Sequence, residues 1–149
     1  MKHRAHGYRQ QADLIRALAH PTRLRILEIL AECGECCVCH LTAILKQRQP
    51  YVSQQLMVLR DKGLATDRKD GVMVYYRLVD PGIRDLISLT RDLLVATDVE
   101  AAKRLAAGEA VFPAIPQPPV PGCPCPVCEA ARHSPSSGAN ARPVKAASS

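Results

Sequence analysis

Three thiols stand within six residues in Cys123-Pro124-Cys125-Pro126-Val127-Cys128, and four more, Cys33, Cys36, Cys37 and Cys39, fall within seven residues nearer the start. Thiolates are soft ligands that hold thiophilic metals and metalloids, and the same groups can cycle between thiol and disulfide. The compartment decides how seven cysteines are read. Met1 to Gln10 is basic and polar with no apolar leader behind it, and no apolar run approaches the ~18 residues that span a bilayer, so a cytoplasmic chain is expected. In a reducing cytoplasm such cysteines read as metal ligands or redox groups rather than as a disulfide framework. Two prolines hold the second cluster open, and three thiols so spaced are hard to explain as core. Cys123, Cys125 and Cys128 are therefore candidate metal ligands.

A second constellation is polar and basic. Between Lys46 and Arg77 lie seven basic and three acidic residues, so four of the six net positive charges of the whole chain sit in one stretch. A focused positive field suits a polyanion such as nucleic acid. Within it, Gln49, Tyr51, Ser53, Gln54 and Gln55 are uncharged hydrogen-bonding groups; Gln can pair bidentately with adenine, and Ser and Tyr can reach phosphates or base edges. Arg68 and Lys69 can neutralise phosphates beside them.

The elements that must position these groups follow from periodicity. Aromatic side chains are 3% of the chain, with no Trp, so the core must come from Leu, Ile, Val and Ala, which suits packed helices. A first helix is predicted from about Tyr8 to Ala19, and a second, central one from Pro21 to the stop at Gly34. A short third helix carries Val38, Leu41, Ile44 and Leu45, and a fourth, from about Gln49 to Lys62, turns Val52, Leu56 and Leu59 inward. Joined by about three residues, these two read as a helix-turn-helix. Ala65 to Lys69, Asp70-Gly71 and Val72 to Leu78 read as a β-hairpin, hence a wing. Asp80-Pro81 opens a last helix with a long apolar stripe, expected to run to about Ala107 and to pack in part against a second copy. Nine of the twelve prolines fall between Pro113 and Pro143. The expected organisation is thus a flexible 1–7, a folded 8–108, and a Pro-rich, largely disordered tail at 109–149. The fold class is mainly α with a small β-hairpin, a winged helix-turn-helix that dimerises through its terminal helices.

Ala17-Leu18-Ala19-His20-Pro21-Thr22-Arg23-Leu24-Arg25-Ile26-Leu27, then Gln49-Pro50 with Val52-Ser53, Leu56 and Leu59-Arg60, then Asp67-Arg68-Lys69-Asp70-Gly71 and Val74-Tyr75-Tyr76-Arg77-Leu78, resembles the ArsR/SmtB family of bacterial metal-sensing repressors. The resemblance covers about Tyr8 to Ala107. It implies a homodimer that binds double-stranded operator DNA when ligand-free and lets go when a metal ion or metalloid binds. Where the family often has Gly-Leu-Ser before the recognition helix, Lys46-Gln47-Arg48 stands here.

Cys37-Val38-Cys39 is similar to the Cys-Val-Cys that opens the third helix in the family's arsenic and cadmium/lead sensors, which implies Cys37 and Cys39 as ligands. Within a regular helix, positions i and i+2 point about 200° apart and cannot share an ion. At a helix start the first residue can be extended, both sulfurs can converge, and unpaired N–H groups favour the thiolate. Cys36 stands where those sensors have Leu and reads as a small buried hydrophobe. Their third cysteine has its counterpart at Thr42, so a third ligand must come from Cys33, Cys36 or the tail cluster. Trivalent arsenic or antimony is the favoured ligand, with cadmium, lead or zinc next.

Other readings are weaker. Cys33-Gly34-Glu35-Cys36 lacks the βαβ setting of a thioredoxin pair, and the two cysteine clusters are too far apart for a zinc ribbon. His20 reads as a helix-start residue and His40 as a surface residue of the third helix. No phosphate loop, zincin motif or nucleophile elbow is present, so no enzyme is expected. The alternatives are a redox- or persulfide-sensing repressor of the same fold and a non-regulatory thiol metal-binding protein.

Overall fold

The computed structural model describes residues 2–134. Helix α1 spans Lys2–Leu18, and α2 spans Pro21–Cys33. The first helix thus begins ahead of the predicted Tyr8. His20 separates the two as predicted: its backbone is extended, its Nδ1 accepts the Thr22 N–H at 3.2 Å, and Pro21 occupies the first helical turn. Gly34, at φ 78°, ends α2 with its N–H on the Leu30 carbonyl.

A strand absent from the sequence reading follows. β1, Glu35–Cys37, pairs antiparallel with β3 (Met73–Leu78), which pairs in turn with β2 (Ala65–Asp70), giving the order β1-β3-β2. Cys36 lies opposite Tyr76 and Cys37 opposite Tyr75, while Asp70 faces Met73 across the tight Gly71-Val72 turn. The predicted hairpin is therefore two strands of a three-stranded sheet. Helices α3 (Val38–Leu45) and α4 (Gln49–Asp61) form the helix-turn-helix.

One core organises these elements. Ile26, Leu27, Ile29 and Leu30 of α2 are fully buried against Leu41 of α3 and Val52, Leu56 and Leu59 of α4, with Tyr76, Ile83 and Ile87 closing the cluster. The central position predicted for α2 holds, because its apolar residues cover most of its circumference.

The last predicted helix is two. α5 spans Gly82–Thr97 and α6 spans Val99–Ala106, parted at Asp98, whose extended backbone and side chain cap α6 by accepting the N–H groups of Glu100 and Ala101. An Asp that offers its own carboxylate to a new helix start outcompetes continuation of the old one. Beyond it, residues 109–134 do not match the expected disordered tail. They run back over the domain and end in α7, Pro126–His133, with Val120, Cys123, Cys125 and Cys128 buried. Pro126 starts that helix rather than preventing it, since a first-turn position needs no N–H. Residues 135–149 of the predicted tail lie outside the described residues.

The Lys46–Arg48 link is locally unfavourable. Lys46 ends α3 in the left-handed region at φ 52°, and Arg48 opens α4 without a side-chain cap. A side chain in that region costs about 1 to 2 kcal/mol, and a missing cap about 1 kcal/mol. Lys46→Gly and Arg48→Ser should each raise the unfolding free energy by about 0.5 to 1 kcal/mol, read as a higher urea midpoint at unchanged m-value.

Candidate metal centre and nucleic-acid face

The cysteines of the two clusters meet. Cys37 ends β1 and caps α3: its backbone is extended (φ −73°, ψ 158°), and its Sγ accepts the His40 N–H at 3.2 Å. Cys125 repeats that arrangement at α7, extended at φ −71° and ψ 154°, with its Sγ accepting the Cys128 N–H at 3.4 Å. Two helix N-termini therefore aim at one group of sulfurs, which favours thiolates there. Cys37, Cys39, Cys123 and Cys125 bring their sulfurs within 4.8 Å of one another. Cys37 and Cys39 are joined as a disulfide, while the other five cysteines are free. Cys37, Cys123, Cys125 and Cys128 are buried together with Val120 against Ala43, Ile44, Met73 and Tyr75.

All five sequence-predicted ligands thus lie in one place, four of them buried and Cys39 half-buried, and their sulfurs are the soft donors a thiophilic ion requires. Opening the Cys37–Cys39 bond by reduction would supply two thiolates to it. A cavity of about 200 Å³ adjoins the group, lined in part by Cys33, Cys36, Cys37, His40, Tyr75 and Cys125.

His40 corrects the sequence reading. It is buried rather than a surface residue, because the tail folds over it: Nδ1 lies 3.3 Å from Cys128 Sγ and 3.8 Å from Cys123 Sγ. Its covering arrives from more than eighty residues away, and nothing in the local sequence could announce that. The Cys33 thiol raises the His40 pKa to about 9 despite burial, with Cys128 and Cys125 adding to the effect. The Cys36 thiol and the His40 ring hold Cys33 down at about 5. Cys36, buried in the core as expected, is pushed far up by Cys33 and by burial. At Cys125 burial opposes the thiolate, but the Cys128 N–H and neighbouring thiols outweigh it, giving about 7; burial raises Cys123 to about 12.

The nucleic-acid residues divide differently. Gln49 and Gln54 are exposed on α4, and Tyr51 and Ser53 are half-buried, the Tyr51 hydroxyl lying 3.1 Å from Thr22 Oγ1. Gln55 does not share their face. It is turned inward, its Oε1 accepting from Arg23 Nη1 at 3.1 Å, while the same guanidinium donates to carbonyls of Ala17 and Arg16. Arg68 and Lys69 are exposed on β2. Arg68 Nε contacts both carboxylate oxygens of Glu35 at 3.0 Å, and its guanidinium lies 4.6 Å over the Tyr75 ring.

Residues 20–67, which carry this helix-turn-helix, match the model of the bacterial regulatory proteins of the arsR family. An uncharacterised helix-turn-helix transcriptional regulator of Methanocaldococcus jannaschii is 38% identical over 86 residues, which are 58% of this chain and 97% of that protein. The chain belongs to the arsR family. The arsenical resistance operon repressor of Escherichia coli is 51% identical over 66 residues, 44% of this chain and 56% of that repressor. In structure, the homodimeric winged helix-turn-helix DNA-binding domain of a possible ArsR-family regulator from Mycobacterium bovis has a TM-score of 0.58 at 28% identity, covering 64% of this chain and 88% of that one. The chain is accordingly a transcriptional regulator of the arsR family with a winged helix-turn-helix fold, and its relatives are not enzymes. No helix among the described residues is long and apolar enough to cross a membrane.

Two outcomes follow from this geometry. Gln55→Ala removes the buried acceptor of Arg23 and should cost about 1.5 to 3 kcal/mol of stability in chemical unfolding, more than the exposed Gln54→Ala. Cys33, half-exposed with its pKa near 5, should be alkylated by iodoacetamide at a rate already level above about pH 7, and Cys36→Ala should restore a rate that climbs toward pH 9.

Proposed function

We propose that this arsR-family regulator is a homodimeric repressor that binds operator DNA when ligand-free and releases it when a thiophilic ion is held by cysteine thiolates, trivalent arsenic or antimony first and cadmium, lead or zinc next. The observation that carries this reading is the convergence of Cys37 and Cys39 with Cys123 and Cys125, all within 4.8 Å. Thr42 stands where a third sulfur would complete a local site, and its hydroxyl is already spent on the Val38 carbonyl at 2.8 Å. The tail supplies the missing sulfurs within the same chain. An ion there gains soft, buried, hydrogen-bonded donors, and a trigonal ion is satisfied by three of them.

The DNA face is proposed as α4 in the major groove, with Gln49, Tyr51, Ser53 and Gln54 toward the bases, and Arg68 and Lys69 of the wing on phosphates. Exposed apolar side chains on α1, α5 and α6, among them Tyr8, Ile15, Leu89, Leu93 and Val99, support a dimer interface on the terminal helices. Binding at the sulfurs can shift the protein off DNA only if the released form holds the ion more tightly. α3 provides the link, since Cys37 caps it and it packs on α4.

The Cys37–Cys39 disulfide favours one second reading, a redox-sensing repressor. There an oxidant such as peroxide takes two electrons from the two thiols, two protons leave, and the bond closes.

In anaerobic operator-binding titrations, Cys37→Ser and Cys39→Ser should each bind DNA as the unaltered protein does and fail to dissociate with arsenite. Replacing Cys123, Cys125 and Cys128 together by Ser should raise the arsenite needed for half-release at least tenfold. Release at unaltered arsenite concentrations in the Cys37→Ser protein would overturn the reading. Peroxide-driven release with no arsenite response would favour the redox alternative.

A further inference from the structure

Beside the sulfurs of Cys37 and Cys39 lies a second donor set that does not need them. We infer that His40, Cys123, Cys125 and Cys128 form a site for one divalent thiophilic ion of the zinc class, bound by three sulfurs and one imidazole nitrogen. The inference shares with the proposed function the role of the tail thiols as ligands, and adds His40 and a second ion chemistry.

The geometry is close to what such an ion requires. With Zn–S near 2.3 Å and Zn–N near 2.05 Å at tetrahedral angles, a sulfur and a nitrogen sit about 3.5 Å apart and two sulfurs about 3.8 Å. His40 Nδ1 is 3.3 Å from Cys128 Sγ and 3.8 Å from Cys123 Sγ, and the four ligand atoms all lie within 4.8 Å of one another. A contraction of about 1 Å at most would close the shell.

Burial and hydrogen bonding fit a ligand role. The three cysteines are at most 2% exposed and His40 is 4% exposed. His40 Nε2 has no hydrogen-bond partner among the described residues, while Nδ1 faces the sulfurs of Cys128 and Cys123. Two sulfurs already receive backbone donors, Cys128 Sγ from the Val120 N–H at 3.3 Å and Cys125 Sγ from the Cys128 N–H at 3.4 Å. A divalent ion with three thiolates and a neutral imidazole carries one net negative charge. Arg132 stands next to it, donating to the Cys123 carbonyl at 2.9 Å. The set is also complete while Cys37 and Cys39 are bonded to each other.

Cys123 and Cys125 belong both to this set and to the four-sulfur group. The two sites therefore share two thiolates, and His40 is the donor that separates them. A trivalent metalloid satisfied by three sulfurs has no need of the imidazole, whereas a tetrahedral divalent ion does.

The test uses the full-length reduced protein under anaerobic conditions, with cobalt(II) alone as a spectroscopic probe and zinc as competitor, beside arsenite-driven release from operator DNA. One cobalt per chain with tetrahedral d–d bands is expected. The bands should persist in Cys37→Ser/Cys39→Ser, while His40→Gln and Cys128→Ser each weaken binding at least tenfold; zinc X-ray absorption should show three sulfurs and one nitrogen. Arsenite release should survive His40→Gln and be lost in Cys37→Ser/Cys39→Ser. Cobalt bands unchanged in His40→Gln but lost in Cys37→Ser/Cys39→Ser would assign the ion to the four sulfurs and overturn the inference, leaving the sensing reading intact. Arsenite release that persists in Cys37→Ser/Cys39→Ser beside an intact cobalt site would do the reverse. Should His40→Gln fail to fold, His40→Cys offers a fourth sulfur and must red-shift the cobalt bands; an unshifted spectrum would be equally fatal to the assignment.

Discussion

Cys37 holds three positions at once, and the rest of the structure is arranged around that constraint. Its backbone is the last residue of β1, paired with Tyr75 of the wing; the same extended conformation makes it the cap of α3; and its sulfur faces the tail cysteines. A residue inside the helix could not do this, because its backbone would be helical rather than extended and its sulfur would point away from that of Cys39. Being one step outside the helix, Cys37 offers its sulfur to the His40 N–H and leaves the Cys39 sulfur alongside. The wing, the Cys37–Cys39 pair and the helix that packs behind α4 therefore meet at one residue.

The tail reaches this point along a fixed path. Arg25 of α2 donates to the carbonyls of Pro113 and Ala114 at 2.7 and 2.8 Å, and Arg91 of α5 sits 4.1 Å over the Phe112 ring while also pairing with Glu28. Ordering each residue of such a segment costs about 1 to 2 kcal/mol of backbone entropy. Two arginines, half-buried Phe112 and Ile115, and the small core around Val120 offset part of that cost.

Much of this was readable in advance, and the failures share a cause. The buried stripes of α2 and α4, the His20-Pro21 start and the hairpin are local signals that the structure bears out, with the turn one residue on from the predicted Asp70-Gly71, at Gly71-Val72. Asp98 was also a local signal, an Asp followed by Glu100 and Ala101, but the apolar stripe that continues through it masked the cap. Strand β1 is three residues long and exists only because β3 lies beside it, so its residues carry no period of their own. Gln55 looked like its polar neighbours on α4 until Arg23, thirty-two residues earlier, turned it inward. His40 and the burial of the tail cysteines depend on contacts across more than eighty residues, where composition speaks only of proline and disorder. The resemblance to the arsenic sensors, through the gap at Thr42, left Cys33, Cys36 and the tail cluster open as partners, and only the fold brings the tail cysteines beside Cys37 and Cys39.

That convergence also bears on how large a structural change a sensor of this build would need. A tenfold change in operator affinity is about 1.4 kcal/mol, whereas structural zinc in small thiolate sites binds with about 10 to 16 kcal/mol. Only a small fraction of the binding energy has to differ between the DNA-bound and released forms. α3 is eight residues long, is capped by Cys37 and packs on α4, and β1 joins that same cysteine to the wing through β3. Packed cores shift between discrete arrangements rather than deforming smoothly, so a displacement of Cys37 would be felt at α4 and at the wing together. The fold needs no long pathway between these cysteines and α4, since the residue that caps α3 also anchors β1 in the sheet.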